Sequence, residues 1–489
     1  MKAETPTTGG MKSLAKDTAI YGLSSIIGRF LNYLLMPLHT AKLTAESGGY
    51  GIITNMYALT ALLLVLLTFG METTFFRFAT KEGEKPQRVF STALIGVSSA
   101  ATLFFFAVLL FLTPLSSFLG YEQTPQYVWV MALTVSVDAI RAIPFAYLRQ
   151  QKKALKFAAL QLLNILINIV LNVVYFLILD GRDPGYAFYI NLLCSVIVTL
   201  CLLPEMKAVR HGFDPALMRR MLVYAWPIVL LGVAGILNQV ADKILFPFLY
   251  PGDDNQQQLG IYGACVKIAM IMAMITQAFR YAYEPFVFGK SKDRDSDEVQ
   301  ANATKYFVIF TLLAFLCVMG WLDVLKNIIP EDYHAGLRVV PIVMAAEIIM
   351  GIYFNLSFWY KLTDKTYWGA IFSGIGCAVL IAVNVLFVPR YSYMACAWAG
   401  LAGYGVAMVL SYVVGQRLHP INYPVQRIAF YVVLALVSWL SMSYIATLLP
   451  LWASVCYNTL VILFFVTVIV RHDFPLSNLP LIGKYFKKR

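Results

Sequence analysis

The chain is a succession of apolar stretches of about twenty residues, broken by short polar punctuation from one end to the other. A helix needs roughly 17 to 25 mostly apolar residues to cross the hydrocarbon core of a bilayer. Fourteen such stretches are predicted, at residues 17–40, 49–79, 89–119, 125–148, 156–179, 185–204, 221–249, 259–288, 302–325, 336–360, 367–388, 392–415, 426–448 and 451–470. Only 13% of the 489 residues are charged and 60% are hydrophobic, with a mean hydropathy of +0.70. A soluble chain of this length carries about 25% charged residues, so soluble enzymes, nucleic-acid binders and disordered scaffolds are set aside. The expected fold is an all-α polytopic membrane protein, and no loop is long enough for a soluble domain.

The formal net charge of +12 acquires meaning only by position. With the N-terminus placed in the cytoplasm, 27 of the 38 Lys and Arg residues fall in inward loops and tails. Five, Lys42, Arg182, Lys326, Arg338 and Arg390, fall outward. Positive residues are retained on the cytoplasmic side, so both termini are expected inside. Counting acids in the same way leaves +15 inside, −4 outside and +1 within the membrane. The excess encodes orientation. The first apolar stretch outruns a signal-peptide h-region and has no small-x-small cleavage site, so it is expected to be kept as a span. The seven cysteines lie in apolar stretches without a CxxC pair, and neither disulfides, metal nor any cofactor is expected.

A shift of 212 residues aligns Tyr50-Gly51 with Tyr262-Gly263, Glu72 with Glu284, Arg149 with Lys361, Lys153 with Lys365, Asn172 with Asn384 and Tyr186 with Trp398. Such self-similarity is common in transporters. It implies two six-helix lobes in parallel orientation, residues 1–212 and 213–420, followed by two further helices and a basic tail at 421–489.

The segment Gly70-Met71-Glu72-Thr73-Thr74-Phe75-Phe76-Arg77-Phe78 resembles the G-x-E-T-x-x-x-R-F/Y segment of bacterial polysaccharide biosynthesis flippases. Tyr21-Gly22-Leu23-Ser24-Ser25-Ile26-Ile27-Gly28-Arg29-Phe30, the Asn238-x-x-x-Asp242-Lys243 segment and Leu148-Arg149-Gln150-Gln151-Lys152-Lys153 resemble other parts of that family. The likeness runs over nearly the whole chain. It implies membership of the multidrug/oligosaccharidyl-lipid/polysaccharide exporter superfamily, beside the lipid II flippases and the multidrug extruders. It further implies export of an undecaprenyl-pyrophosphate-linked oligosaccharide, such as a capsule or O-antigen lipopolysaccharide unit, across a bacterial plasma (inner) membrane. Lys243 stands where the family often has arginine, which keeps the charge but loses the bidentate fork.

Ionisable side chains at bilayer depth are costly and face a cavity or a partner. Eleven lie within the predicted spans. The basic six, Arg29, Arg77, Arg141, Lys243, Lys267 and Arg280, are candidates to bind the substrate pyrophosphate, Arg29 and Lys267 foremost because neither has an obvious partner on its own helix. Arg141 is spaced i, i+3 from Asp138, and Arg280 i, i+4 from Glu284, so each pair can equally neutralise itself on one helix face. Arg77 is placed to snorkel to headgroups. Glu72, Asp242, Glu284 and Glu347 are candidates to bind a coupling proton or sodium ion, with an interlobe salt bridge or helix cap as the alternative. Pro37, Pro144, Pro227, Pro247, Pro285 and Pro341 are placed to bend spans.

Gly289-Lys290-Ser291 echoes a phosphate loop, but Glu284 stands where its leading glycine is required. The histidines, His39, His211, His334, His419 and His472, are read as scattered in loops and helix ends without metal-ligand spacing. Competing functions are a lipid II flippase, a cation-coupled drug antiporter and a membrane glycan polymerase or ligase. The antiporter calls for an acidic interior. The polymerase calls for catalytic groups on a large outer loop, where this chain offers only Asp253-Asp254 and Glu331-Asp332.

Overall fold

In the computed structural model the described residues are 33–81, 83–290 and 296–473, without the side chains of 208, 281, 282, 284–286 and 288–290. They form helices throughout: α1 (Leu35–Lys42), α2 (Gly49–Thr68), α3 (Met71–Ala79), α4 (Pro86–Leu110), α5 (Pro125–Gln150), α6 (Ala154–Asn172), α7 (Gly185–Cys201) and α8 (Pro215–Leu249). The series continues with α9 (Asn255–Lys290), α10 (Ser296–Gly320), α11 (Val340–Leu356), α12 (Tyr367–Tyr391), α13 (Tyr393–Leu418), α14 (Val425–Ala446) and α15 (Leu451–His472). Among the described residues, twelve stretches are long and apolar enough to cross a membrane, and a thirteenth is gained if the bent pair Gly185–Cys201 and Leu203–His211 is one span. The span expected at 17–40 lies mostly outside the described residues.

The second expected span is broken. Phe69 (φ 46) and Gly70 (φ 63) are both left-handed and separate α2 from α3. Glycine adopts that conformation freely, whereas phenylalanine is strained in it. The break puts Glu72 in the first turn of a new helix, where the free amide end favours an acid. At the far side of the fold α6 widens at Val173–Ile178 into a π-helix.

Two compact units emerge, residues 1–264 with 380–396, and residues 265–379 with 397–489. In the first unit α4 packs on α5, α8 on α2, and α5 on α7. One apolar cluster centres on Phe75, Phe90, Tyr147 and Met221, another on Tyr121, Tyr127, Phe176 and Phe188. In the second unit α10 packs on α11, α14 and α15. Its aromatic core includes Trp359, Tyr360 and Phe372.

Within the first unit the glycines of the repeat meet where α2 crosses the start of α9. A Cβ on Gly51 would overlap the Gln256 carbonyl, one on Gly260 would lie 3.0 Å from the Gly51 nitrogen, and one on Gly263 would lie 2.5 Å from Thr54 Oγ1. Small residues let membrane helices approach at backbone distance. Gly51→Ala therefore forces backbone apart from backbone, and a loss of about 1–3 kcal/mol is expected from overpacking, read as a lower thermal midpoint in detergent.

At the end of the chain, Asp473 follows α15 with its side chain only 4% exposed. It accepts from Lys305 Nζ (2.8 Å) on α10 and from Tyr431 OH (2.7 Å) and Arg427 Nη1 (3.2 Å) on α14. One carboxylate thus ties three helices of the second unit together.

Candidate functional site

A buried polar network lies in the first unit, around Asp242 on α8. Helix α8 is started by Pro215 at its first position and by the Asp214 carboxylate, which accepts from the Leu217 amide at 3.0 Å. Near its other end Pro247 has no amide hydrogen to offer the carbonyl four residues back, that of Lys243. Asn55 of α2 fills the vacancy, donating from Nδ2 to the Lys243 carbonyl at 2.8 Å. Its Oδ1 in turn accepts from Tyr121 OH at 2.9 Å. The proline thus pins α8 to α2 immediately beside the charged pair.

Asp242 is buried. Lys243 Nζ lies 3.0 Å from each of its oxygens, and Tyr262 OH of α9 donates to Oδ2 at 2.6 Å. Neighbours in sequence do not face each other on a helix. Lys243 reaches Asp242 by folding its stem back, donating also to the Gln239 carbonyl at 3.1 Å. Sequence reading divided this pair into a substrate cation and a coupling acid, whereas the structure makes them one salt bridge. A buried carboxylate with a lysine and a phenol as partners can exchange a small cation or proton against the ammonium without losing all its donors.

The other candidates have separate surroundings. Arg141 lies 2.8 Å from Asp138 and donates to Asn164 Oδ1 at 3.2 Å, while Ser195 OH donates to Asp138 at 2.7 Å. Both ionic side chains are mostly buried. Removing one partner of such a pair leaves an uncompensated charge. Arg141→Leu is thus expected to cost about 3–5 kcal/mol, and the double replacement Arg141→Leu with Asp138→Leu to recover most of it. A double variant as unstable as the single one would contradict the pairing.

Glu72 accepts from Arg149 Nη2 at 2.6 Å, with both side chains partly exposed. Arg149 also sits over the Phe76 ring at 5.2 Å. Its repeat counterpart Lys361 sits likewise over Phe354 at 4.5 Å in the second unit. Arg77 is exposed and stacks on Tyr224 at 4.5 Å. In the second unit Arg280 lies 3.9 Å from the Phe354 ring centre. Lys267 on α9 and Glu347 on α11 are half-buried. Arg29 and the Glu284 side chain lie outside the described residues. Among the described residues no three His, Cys, Asp or Glu side chains converge as metal ligands.

The second unit also holds an apolar cavity of about 460 Å³. Val308 and Phe315 of α10, Ile349 and Ile352 of α11, and Val432 and Leu436 of α14 are among its walls. Helix α14 therefore builds part of an apolar chamber.

A family model described as polysaccharide biosynthesis protein matches residues 45–330, more than half of the sequence. The chain belongs to this family. Among solved structures, this family member is similar to "Lipid II flippase MurJ, inward closed conformation". That likeness has a TM-score of 0.73 and 15% identity over 92% of this chain and 98% of that one. It is also similar to an inward-facing multidrug resistance MATE family transporter of the MOP superfamily, with a TM-score of 0.66 and 14% identity over 83% and 95%. A third likeness is to the MATE multidrug transporter DinF-BH, at 0.61 and 16% over 86% and 99%. No curated protein matches the sequence. At these identities the likenesses show the fold alone.

Sequence reasoning missed Tyr262 and Asn55 as partners of the Asp242 pair, Arg149 as the partner of Glu72, and His39. His39 lies in the last turn of α1, a helix end as read, but is buried there, with Nε2 at 2.8 Å from Asn172 Oδ1 of α6. Tyr262 carried a signal, its place in the repeat. Asn172 and its counterpart Asn384 carried the same one, and both bond the carbonyl four residues back. Asn384 Oδ1 is fully buried without a hydrogen-bond partner among the described residues.

Proposed function

We propose that this polysaccharide biosynthesis family member moves an undecaprenyl-pyrophosphate-linked oligosaccharide from the inner to the outer leaflet by alternating access. The observation that carries the reading is the apolar chamber in the second unit, closed in part by α14. In such a chamber a prenyl tail gains about 25 cal/mol for each Å² of apolar surface it buries. Membership of a polysaccharide biosynthesis family points the same way.

In this account the two lobes are residues 1–212 and 213–420, both termini are cytoplasmic, and 421–489 serves the tail of the lipid. Arg29, Arg77, Lys267 and Arg280 hold the pyrophosphate, and Arg141 stays with Asp138. Asp242 is the coupling acid, since Lys243 and Tyr262 already hold a negative charge there in exchangeable form. Glu72 acts through Arg149 instead, and Glu284 and Glu347 remain the coupling candidates of the second unit. Lipid II carries the same prenyl pyrophosphate, so the glycan alone separates that reading from this one.

The test is native mass spectrometry of the purified protein with undecaprenyl-pyrophosphate-linked oligosaccharide. Retention of the lipid is expected, weakened about tenfold by Val432→Trp, which fills the chamber, a factor worth about 1.4 kcal/mol. Equal retention by both proteins, or none by either, overturns the reading.

A further inference from the structure

Helix α7 starts at Gly185, and the loop before it is laid on tyrosine rings. Asp183 accepts from Tyr127 OH of α5 at 2.7 Å and from the Gly185 amide at 2.8 Å, both on Oδ1. A Cβ on Gly185 would lie 2.4 Å from the Tyr127 ring, and one on Gly181 would lie 2.3 Å from the ring of Tyr175 in the π-helical turn. The Gly181 amide donates to the Tyr175 carbonyl at 3.0 Å. Two glycines thus let the loop lie directly on two phenols, and Asp183 is fixed before any ligand arrives.

Tyr186, in the first turn of α7, stacks on Tyr175 with ring centres 3.9 Å apart and planes at 10°, and Tyr189 meets it edge-on at 5.8 Å. One face of Tyr186 is covered, yet the residue is 44% exposed, so the other face is open. Asp183 is exposed as well. Its Oδ2 and the hydroxyls of Tyr186 and Tyr189 take no hydrogen bond among the described residues. The charge of Asp183 acts on both Tyr175 and Tyr189. An interfacial aromatic anchor needs only its ring at headgroup level. Here an open ring face is joined to a preset carboxylate and two unused hydroxyls. A pyranose is the matching shape, with an apolar C–H face and a rim of hydroxyls. At the corresponding position of the repeat the second unit carries Trp398, which is 53% exposed, so a large open ring recurs there.

We propose that Tyr186 and Asp183, backed by Tyr175, form a glycan-binding platform at the outer end of the first unit, which receives the first sugars of the exported lipid. The proposal deepens the transport reading above and rests on it. The Lys and Arg distribution assigns the loop at 179–185 to the outside. A pyrophosphate at headgroup level carries its sugars just beyond the hydrocarbon, at the height where α7 begins. The C–H face of a sugar stacks on the open face of Tyr186 and takes apolar surface of both out of water. Its hydroxyls donate to Asp183 Oδ2 in charge-assisted bonds and exchange bonds with the phenols at the rim. The platform holds sugar and not the prenyl tail, so it adds affinity for the glycosylated lipid alone.

The test is native mass spectrometry of the purified full-length protein with two probes, undecaprenyl-pyrophosphate-linked oligosaccharide and undecaprenyl pyrophosphate without sugar. Tyr186→Leu keeps apolar bulk but removes the ring, and it is expected to weaken retention of the first probe about tenfold and to leave the second unchanged. Tyr186→Trp, the residue of the other repeat, is expected to retain both probes as the native protein does. Asp183→Asn keeps an acceptor for Tyr127 and Gly185 but loses the charge, and the same selective loss is expected from it whether or not Tyr186→Leu folds. Loss of both probes alike would make Tyr186 and Asp183 parts of the bilayer interface or of the fold, and loss of neither would make them bystanders; both results overturn the platform. If the native protein retains neither probe, the transport reading falls. Saturation-transfer NMR with the oligosaccharide released from the same lipid then decides the site: transfer that Tyr186→Leu abolishes upholds the platform, and absence of transfer to the native protein's ligand overturns it.

Discussion

Asp242→Asn is expected to reduce gradient-driven transport to the level of protein-free vesicles while the protein still purifies as a folded monodisperse species. The side chain keeps its shape and can still accept from Tyr262, but it no longer carries the charge on which a proton or sodium ion depends. The cost to the fold is limited because Lys243 keeps its bond to the Gln239 carbonyl and its place 5.6 Å from the Tyr262 ring. Lys243→Arg retains the positive charge, and its transport is expected to survive. If Asp242→Asn were to transport as well as the native protein, with the same response to an imposed gradient, the coupling role would be withdrawn.

A large loss of stability is expected from Asp473→Ala. The replacement strands Lys305, which is mostly buried, and removes the acceptor shared by Tyr431 and Arg427. Breaking a buried pair from one side costs about 3–5 kcal/mol, enough to lower a thermal midpoint visibly. The clamp also has a pH signature. Burial alone would raise the Asp473 carboxyl, but hydrogen bonds from Lys305 and Tyr431 and the charges of Lys305 and Arg427 outweigh it and hold it below the ordinary 3.8. A carboxyl lowered by folding stabilises fully above its unfolded value and loses that contribution as pH falls through its folded one. The difference between native protein and Asp473→Ala should therefore be constant from neutral pH to about pH 5 and shrink below the ordinary carboxylate range. A difference unchanged at pH 3 would contradict the ionic clamp.

The spans were legible because the bilayer imposes a length, and a run of apolar residues at that length has few other fates. Breaks within spans were not. Gly70 stood out only as the first residue of a family-like segment, not as a helix break, and nothing in Phe69 announces a left-handed residue before it. The π-helix after Asn172 likewise leaves no periodic signal, since Val173–Ile178 reads as ordinary apolar helix. Charged residues could be found but not paired. Asp242 and Lys243 are adjacent in sequence and point apart on an ideal helix, so their salt bridge depends on how Lys243 folds back. Arg149 was counted among the cytoplasmic anchors by the loop rule for basic residues, and a count by loop cannot show that one of its members reaches Glu72. His39 was passed over because a lone histidine has no spacing to read. Only the fold brings Asn172, 133 residues away, to its ring. The repeat was the best guide to contacts, since Gly51 and Gly263 lie at one helix crossing and Tyr262 reaches Asp242.

The central claim is that the chain moves a prenyl-pyrophosphate-linked glycan across the membrane. Its most direct measurement is the rate at which undecaprenyl-pyrophosphate-linked oligosaccharide, loaded into one leaflet of proteoliposomes containing the purified protein, becomes accessible to an impermeant glycan-modifying enzyme on the other side. Movement well above that of protein-free vesicles, abolished by Asp242→Asn, is the expected result. Transport of a cationic dye with no movement of the pyrophosphate-linked lipid would contradict it.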